Sequence, residues 1–142
     1  EQIGIEREKR GQALSDLTRQ ARRAIAEGRQ VFIFPEGTRT AVGAPPAYKP
    51  GVAQLCAATG AVCVPVALNS GLFWPRRGFL RRPGHVVIEF LAPVPADANK
   101  QKFMRTLEGR IETATEKLVN EAIAADPSLK AALSPRADAA AG

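Results

Sequence analysis

The sequence predicts an α/β layered domain in which helices flank a mostly parallel or mixed central sheet. Three observations lead there. Helical periodicity marks a stretch toward each end of the chain, 12–27 and 99–125. Between them lie short apolar runs, continuous at 31–34 and 61–68 as in strands covered on both faces, and a third strand-like run at 86–91 broken only by Glu89. Their order (helix, strand, loop, helix, strand, loop, strand, helix) is that of helices packed on a sheet. With 142 residues, 45% hydrophobic and 24% charged, the chain is long enough for one core and too short for two.

Leu14, Leu17, Ala21 and Ile25 recur at steps of three, four and four, while Asp16, Arg19, Arg22, Arg23 and Glu27 fall mostly elsewhere. The stretch 12–27 is therefore an amphipathic helix, stopped by Gly28. VFIF at 31–34 follows as a strand buried on both faces. Gly43, Pro45 and Pro46 make 38–48 a loop. Pro50 presets the first turn of a helix over 51–59, which Gly60 closes. Within 61–68, Pro65 lacks the N–H that a ladder needs, which predicts a bulge, an edge or a strand end packed in the core. The run 86–91 is a third strand. Phe103, Leu107, Ile111, Ala114, Leu118 and Ala122 form one stripe along 99–125. From 126 to 142 the composition is Ala- and Pro-rich with little apolar bulk, which predicts a disordered tail.

No apolar run approaches the roughly 20 residues of a membrane-spanning helix. Cys56 and Cys63 lie in apolar contexts without CxxC spacing or a neighbouring histidine, and are expected to be reduced core residues. No metal site and no cofactor is expected. The formal net charge of +6 predicts a phosphate-bearing partner. Residues 71–85, GLFWPRRGFLRRPGH, set Arg76, Arg77, Arg81 and Arg82 among Leu72, Phe73, Trp74, Phe79 and Leu80 with no acid. Such a segment is either a surface for anionic lipid or a partly packed loop with solvated arginines. A non-catalytic basic module for nucleic acid or anionic lipid is the alternative reading. Against nucleic acid as a partner, no RNP-like strand, helix-turn-helix signal or zinc spacing is present.

The run at 31–34 breaks directly into Pro35, Glu36, Gly37, Thr38 and Arg39. Gly37 permits a backbone conformation or a close ligand approach that a Cβ forbids. Thr38 offers a hydroxyl and Arg39 a planar fork suited to phosphate. Glu36 is expected to accept hydrogen bonds that hold the turn or orient Arg39. On spacing alone the stretch is either an anion site or a strand-ending turn.

FPEGTRT at 34–40 resembles the FPEGTRS signature of the glycerolipid acyltransferase family, typified by 1-acyl-glycerol-3-phosphate acyltransferases. IGIEREKR at 3–10 resembles the family's second block, a strand ending in an acid and an arginine, here Glu6 and Arg7, with Glu where Asp is more usual. YKPG at 48–51 resembles the aromatic-lysine-x-glycine after the signature, and VCVPVAL at 62–68 resembles the fourth block, centred on Val64, Pro65 and Val66.

This resemblance implies a glycerol-3-phosphate acyltransferase-like fold. It also implies transfer of a fatty acyl group from acyl-CoA or acyl-carrier protein to the free hydroxyl of 1-acyl-glycerol-3-phosphate, at the cytoplasmic face of a membrane. By the same carry-over, Arg7 and Arg39 hold the acceptor's phosphate, while Phe34, Pro35, Glu36, Gly37 and Thr38 shape its pocket. Lys49, ahead of a helix N-terminus, is either a further phosphate ligand or a solvated lysine. Val64 and Pro65 have weaker claims, and for Pro65 a packed kink is favoured over substrate contact.

The family's catalytic H-x-x-x-x-D precedes its second block. In this chain the single histidine, His85, opens HVVIEF, follows the fourth block and has no Asp five positions on. It is read as a strand-edge residue without a catalytic role. No GxSxG elbow, HxxE metal helix or glycine-rich nucleotide loop replaces the missing pair. By the resemblance, residues 1–125 are expected to be the C-terminal portion of an acyltransferase domain that supplies the acceptor phosphate-binding part. Truncation, which the start within the second block favours, and a degenerate homologue that binds without catalysing both account for the missing pair. Either way the chain is expected to be inactive alone.

Overall fold

The computed structural model describes residues 10–75 and 81–133. Helix α1 spans Arg10–Ala26 and packs on α2, Gly51–Thr59. Of its described side chains, Ala21 and Ala24 are the buried ones, whose small size permits close approach, and Ile25 is more exposed than either. Arg22 donates from Nε (3.1 Å) and Nη2 to the Ala58 carbonyl, placing a cation where α2 ends with unpaired carbonyls. Helix α2 has the predicted bounds: Pro50 precedes it, and Gly60, at φ +69°, closes it with its N–H on the Cys56 carbonyl (2.8 Å).

Helix α3, Lys100–Ala125, starts at Asn99, whose side chain accepts the Lys102 N–H at 2.9 Å. The predicted stripe is its packing face. Phe103 and Leu107 join Val52, Ala53 and Cys56 of α2 and Val94 in one core cluster. Farther along, Val119 joins a second cluster with Leu72, Phe73 and Leu129.

Strands β1, Val66–Leu68, and β2, Ile88–Phe90, pair antiparallel with Val66 opposite Phe90 and Leu68 opposite Ile88. Alternation puts Ala67 on the face under α3, where it is fully buried. Val66, Leu68, Ile88 and Phe90 share the opposite face, where Ile88 is 58% and Phe90 69% exposed. The described residues hold this one two-stranded sheet, and the mostly parallel or mixed central sheet is not among them.

Two strand expectations are corrected. Residues 31–34 form no strand, and Phe32 and Phe34 are 77% and 79% exposed. An apolar run becomes a buried strand only where neighbours take up its N–H and C=O groups and layers cover its faces. Among the described residues no strand pairs with 31–34, and the Phe34 carbonyl is taken up only by the turn that follows. The run 61–68 shortens to β1 plus an isolated bridge from Cys63 to Val94. Pro65 interrupts it, as its missing N–H requires. The proline is fully buried and its carbonyl accepts the Leu91 N–H at 2.9 Å, the packed kink expected of it.

Part of the segment expected to be disordered is built. Asp126 accepts the Ser128 N–H (3.0 Å) and caps a 3-10 helix, Pro127–Ala132. That helix buries Leu129 against Leu72, Phe73 and Val119. One well-placed leucine and a cap outweigh the segment's average composition; residues 134–142 lie outside the described residues.

The arginine and aromatic segment divides. Leu72 and Phe73 are core, and the Arg82 N–H donates to the Phe73 carbonyl at 2.9 Å. Gly84 has no side chain where the Phe73 ring passes. Trp74 stays exposed, with the Arg81 guanidinium 4.2 Å from its ring centroid. Arg76, Arg77, Phe79 and Leu80 lie outside the described residues. Buried Asn69 prolongs the sheet contact by accepting the Val87 N–H (2.9 Å) and donating to the His85 carbonyl (3.4 Å). His85 itself is exposed at this edge. Among the described residues, no helix is long and apolar enough to cross a membrane.

Candidate functional site

Residues 34–40 form a tight turn backed by 47–49. The Gly37 N–H closes the turn onto the Phe34 carbonyl at 3.0 Å, and the Lys49 N–H bonds the Pro35 carbonyl at 2.9 Å. Glu36 holds the two segments together. Its Oε2 accepts the Thr40 hydroxyl (2.6 Å) and its Oε1 accepts the Ala47 N–H (3.2 Å). Of the two roles expected for Glu36, holding the turn is the one its bonds perform. The far side of the loop is anchored where Val42 bridges Leu133 and packs against the second cluster.

Gly37 sits at φ +67°, and a Cβ there would lie 3.0 Å from Lys49 Nζ. The missing side chain therefore gives the lysine ammonium its resting place on the turn. Gly37→Ala is expected to cost about 1–2 kcal/mol from the left-handed backbone alone and to displace the ammonium. Urea unfolding checks the first effect and binding of inorganic phosphate the second.

Tyr48, the chain's one tyrosine, donates its hydroxyl to Glu112 Oε1 at 2.8 Å and so ties the turn to α3. Burial first, and then the Glu112 carboxylate, push the phenol's ionisation well above the ordinary tyrosine range. It stays protonated and remains a donor. Helix α2 begins two residues beyond Lys49, so its free N–H groups adjoin the turn.

The site thus gathers Pro35, Glu36, Gly37, Thr38, Arg39 and Lys49 on one braced turn, with Phe34 exposed at its entrance. Arg39 and Lys49 are exposed, and neither has an ion-pair partner among the described residues. Arg7 and Glu6 lie outside the described residues, so the pairing of Arg7 with Arg39 does too. Val64 is exposed, whereas buried Pro65 presents no side-chain surface to a ligand.

Sequence reasoning missed Thr40, Ala47 and Glu112 as the groups that brace the turn. Only the hydroxyl at 40, within the signature itself, carried a signal. An open groove between α1 and α2, lined also by Lys100 of α3, holds cations too, but two of the three are engaged: Arg19 is paired with Asp16 (2.7 Å) and Arg22 donates to the Ala58 carbonyl. The turn is the better anion site because both of its cations are exposed without an ion-pair partner among the described residues and stand on one braced loop. Among the described residues, no group of three or more His, Cys, Asp or Glu side chains could hold a metal ion.

A family model described as Acyltransferase matches residues 1–69. A 1-acyl-sn-glycerol-3-phosphate acyltransferase of Pseudomonas aeruginosa is 31% identical over 110 residues, 78% of this chain and 43% of the relative. The protein of that name from Cocos nucifera is 27% identical over 94 residues, 66% of this chain and 30% of the relative. A 1-acyl-sn-glycerol-3-phosphate acyltransferase alpha of Ovis aries is 27% identical over 110 residues, 77% and 38% respectively. The chain spans less than half the length of these curated relatives. No solved structure matches it.

Proposed function

This chain belongs to the acyltransferase family, and from that premise we propose that it supplies the acceptor phosphate-binding part of an O-acyltransferase acting on 1-acyl-glycerol-3-phosphate. One observation carries the reading: the Glu36-braced turn, which rests Lys49 Nζ on Gly37 and leaves the Arg39 fork open to solvent. A phosphomonoester meets the fork with two parallel N–H donors and the ammonium with a point charge. Arg7 supplies the second guanidinium of the grip. Phe34, Pro35 and Thr38 border the glycerol.

Holding the phosphate aims the neighbouring free hydroxyl at the thioester of acyl-CoA or acyl-carrier protein. The hydroxyl oxygen attacks the acyl carbonyl, its proton passes to a base, and the thiolate leaves. Both Glu36 oxygens accept hydrogen bonds within the turn, so the carboxylate serves as a brace and not as that base. No H-x-x-x-x-D in these 142 residues supplies that base. The exposed Trp74 and Arg81 pair suits the anionic face of a membrane, where the acceptor resides, on its cytoplasmic side.

Two measurements test this division of labour. The purified 142-residue chain is expected to bind glycerol 3-phosphate in a salt-sensitive way and to form no phosphatidate from lysophosphatidate and acyl-CoA. Turnover by this chain alone would place the base within it. Failure to bind glycerol 3-phosphate would remove the phosphate site.

A further inference from the structure

Cys56 and Cys63 are the chain's two cysteines, and the fold brings them together. Gly60 turns the chain back at the end of α2, with its N–H on the Cys56 carbonyl. Three residues later Cys63 pairs with Val94 through both backbone bonds, 2.9 and 2.7 Å. The return path delivers both side chains to one cluster beside Val94, Phe103 and Leu107. No disulfide joins them. A hydrogen bond from the Cys56 thiol favours the anion at Cys63, lowering its ionisation and raising that of Cys56.

The two thiols also differ in access. Cys56 is buried. Cys63 is half-buried, its side chain packed against the cluster on the side opposite to the exposed Val62 and Val64. A partly accessible thiol packed beside a buried one is the arrangement of a resolving pair.

We propose that Cys56 and Cys63 are a redox-active dithiol that closes to an intramolecular disulfide on reaction with a small disulfide such as oxidised glutathione. The Cys63 thiolate attacks one glutathione sulfur, forming a mixed disulfide and releasing the first glutathione thiolate. Cys56 gives its proton to solvent and attacks the Cys63 sulfur. The bond to glutathione breaks, and the second thiolate leaves. The protein dithiol loses two electrons and oxidised glutathione gains them. The bridge pins the last turn of α2 to the segment that leads into β1.

Intact-mass and peptide mass spectrometry of the folded chain after incubation with oxidised glutathione test the proposal. The wild-type protein is expected to lose the mass of two hydrogens within the single peptide that holds both cysteines, and to retain no glutathione. Cys56→Ala, which keeps the core position apolar, is expected to stop with one glutathione on Cys63. Cys63→Ser is expected to stay unmodified while folded. A wild-type protein that retains glutathione on Cys63, forms crosslinked dimers, or keeps both thiols free while its urea-unfolded form reacts would overturn the proposal.

Discussion

Replacing Arg39 by alanine is expected to weaken binding of glycerol 3-phosphate by about a hundredfold. Hydrogen bonds to charged groups contribute about 1.5–3 kcal/mol each. A guanidinium that grips phosphate with two of them loses at least about 3 kcal/mol on truncation, which corresponds to roughly two orders of magnitude in Kd. The lower bound is the apt one because Arg39 is exposed and solvent screens it. Arg39→Lys keeps the charge and loses the fork, so its affinity should fall between wild type and alanine. Lys49→Ala should cost less, roughly tenfold, since an ammonium on a flexible stem loses more of its gain to ordering. Titration calorimetry at two salt concentrations separates the cases. Equal affinity in Arg39→Ala and wild type would mean that the anion sits elsewhere.

The helices were legible because each carries its own boundary chemistry. Pro50 and Gly60 bracket α2 at the predicted positions, and Asn99 with the Phe103 to Leu118 stripe defines α3. The strands were legible only as apolar runs, because a ladder is completed by residues distant in sequence. Run 61–68 broke at Pro65, the one residue whose backbone carries its own veto. Run 31–34 carries no such mark, and its fate depends on neighbours that its own residues do not encode.

The site divides the same way. Gly37 was readable as a position that needs freedom of φ, and Arg39 as a phosphate fork. Bonds from Thr40 and Ala47 to Glu36, and from Tyr48 to Glu112, span four, 11 and 64 residues. The longest of these exists only once α3 has folded back across the turn, and no local pattern announces it.

That dependence of the turn on α3 makes Leu107 the most consequential core position for function. Leu107→Ala is expected to destabilise the chain by about 2–5 kcal/mol, a large share of the roughly 5–15 kcal/mol that holds a domain of ordinary stability. Leu107 is almost wholly enclosed by Val52, Ala53 and Cys56 from α2, with Val94 and Phe103, so little room exists for neighbours to relax into the void. Urea unfolding followed by circular dichroism measures the loss, and Leu107→Met, which nearly conserves volume, should lose less than about 1.5 kcal/mol. The cluster holds α2 to α3, while the turn is joined to α2 through Lys49 and Pro50 and to α3 through Tyr48 and Glu112. Loosening that junction should therefore lower affinity for glycerol 3-phosphate even at temperatures where Leu107→Ala remains folded. A variant that loses stability but binds as tightly as wild type would show that the Glu36 bonds alone hold the turn in shape, independently of the packing beneath it.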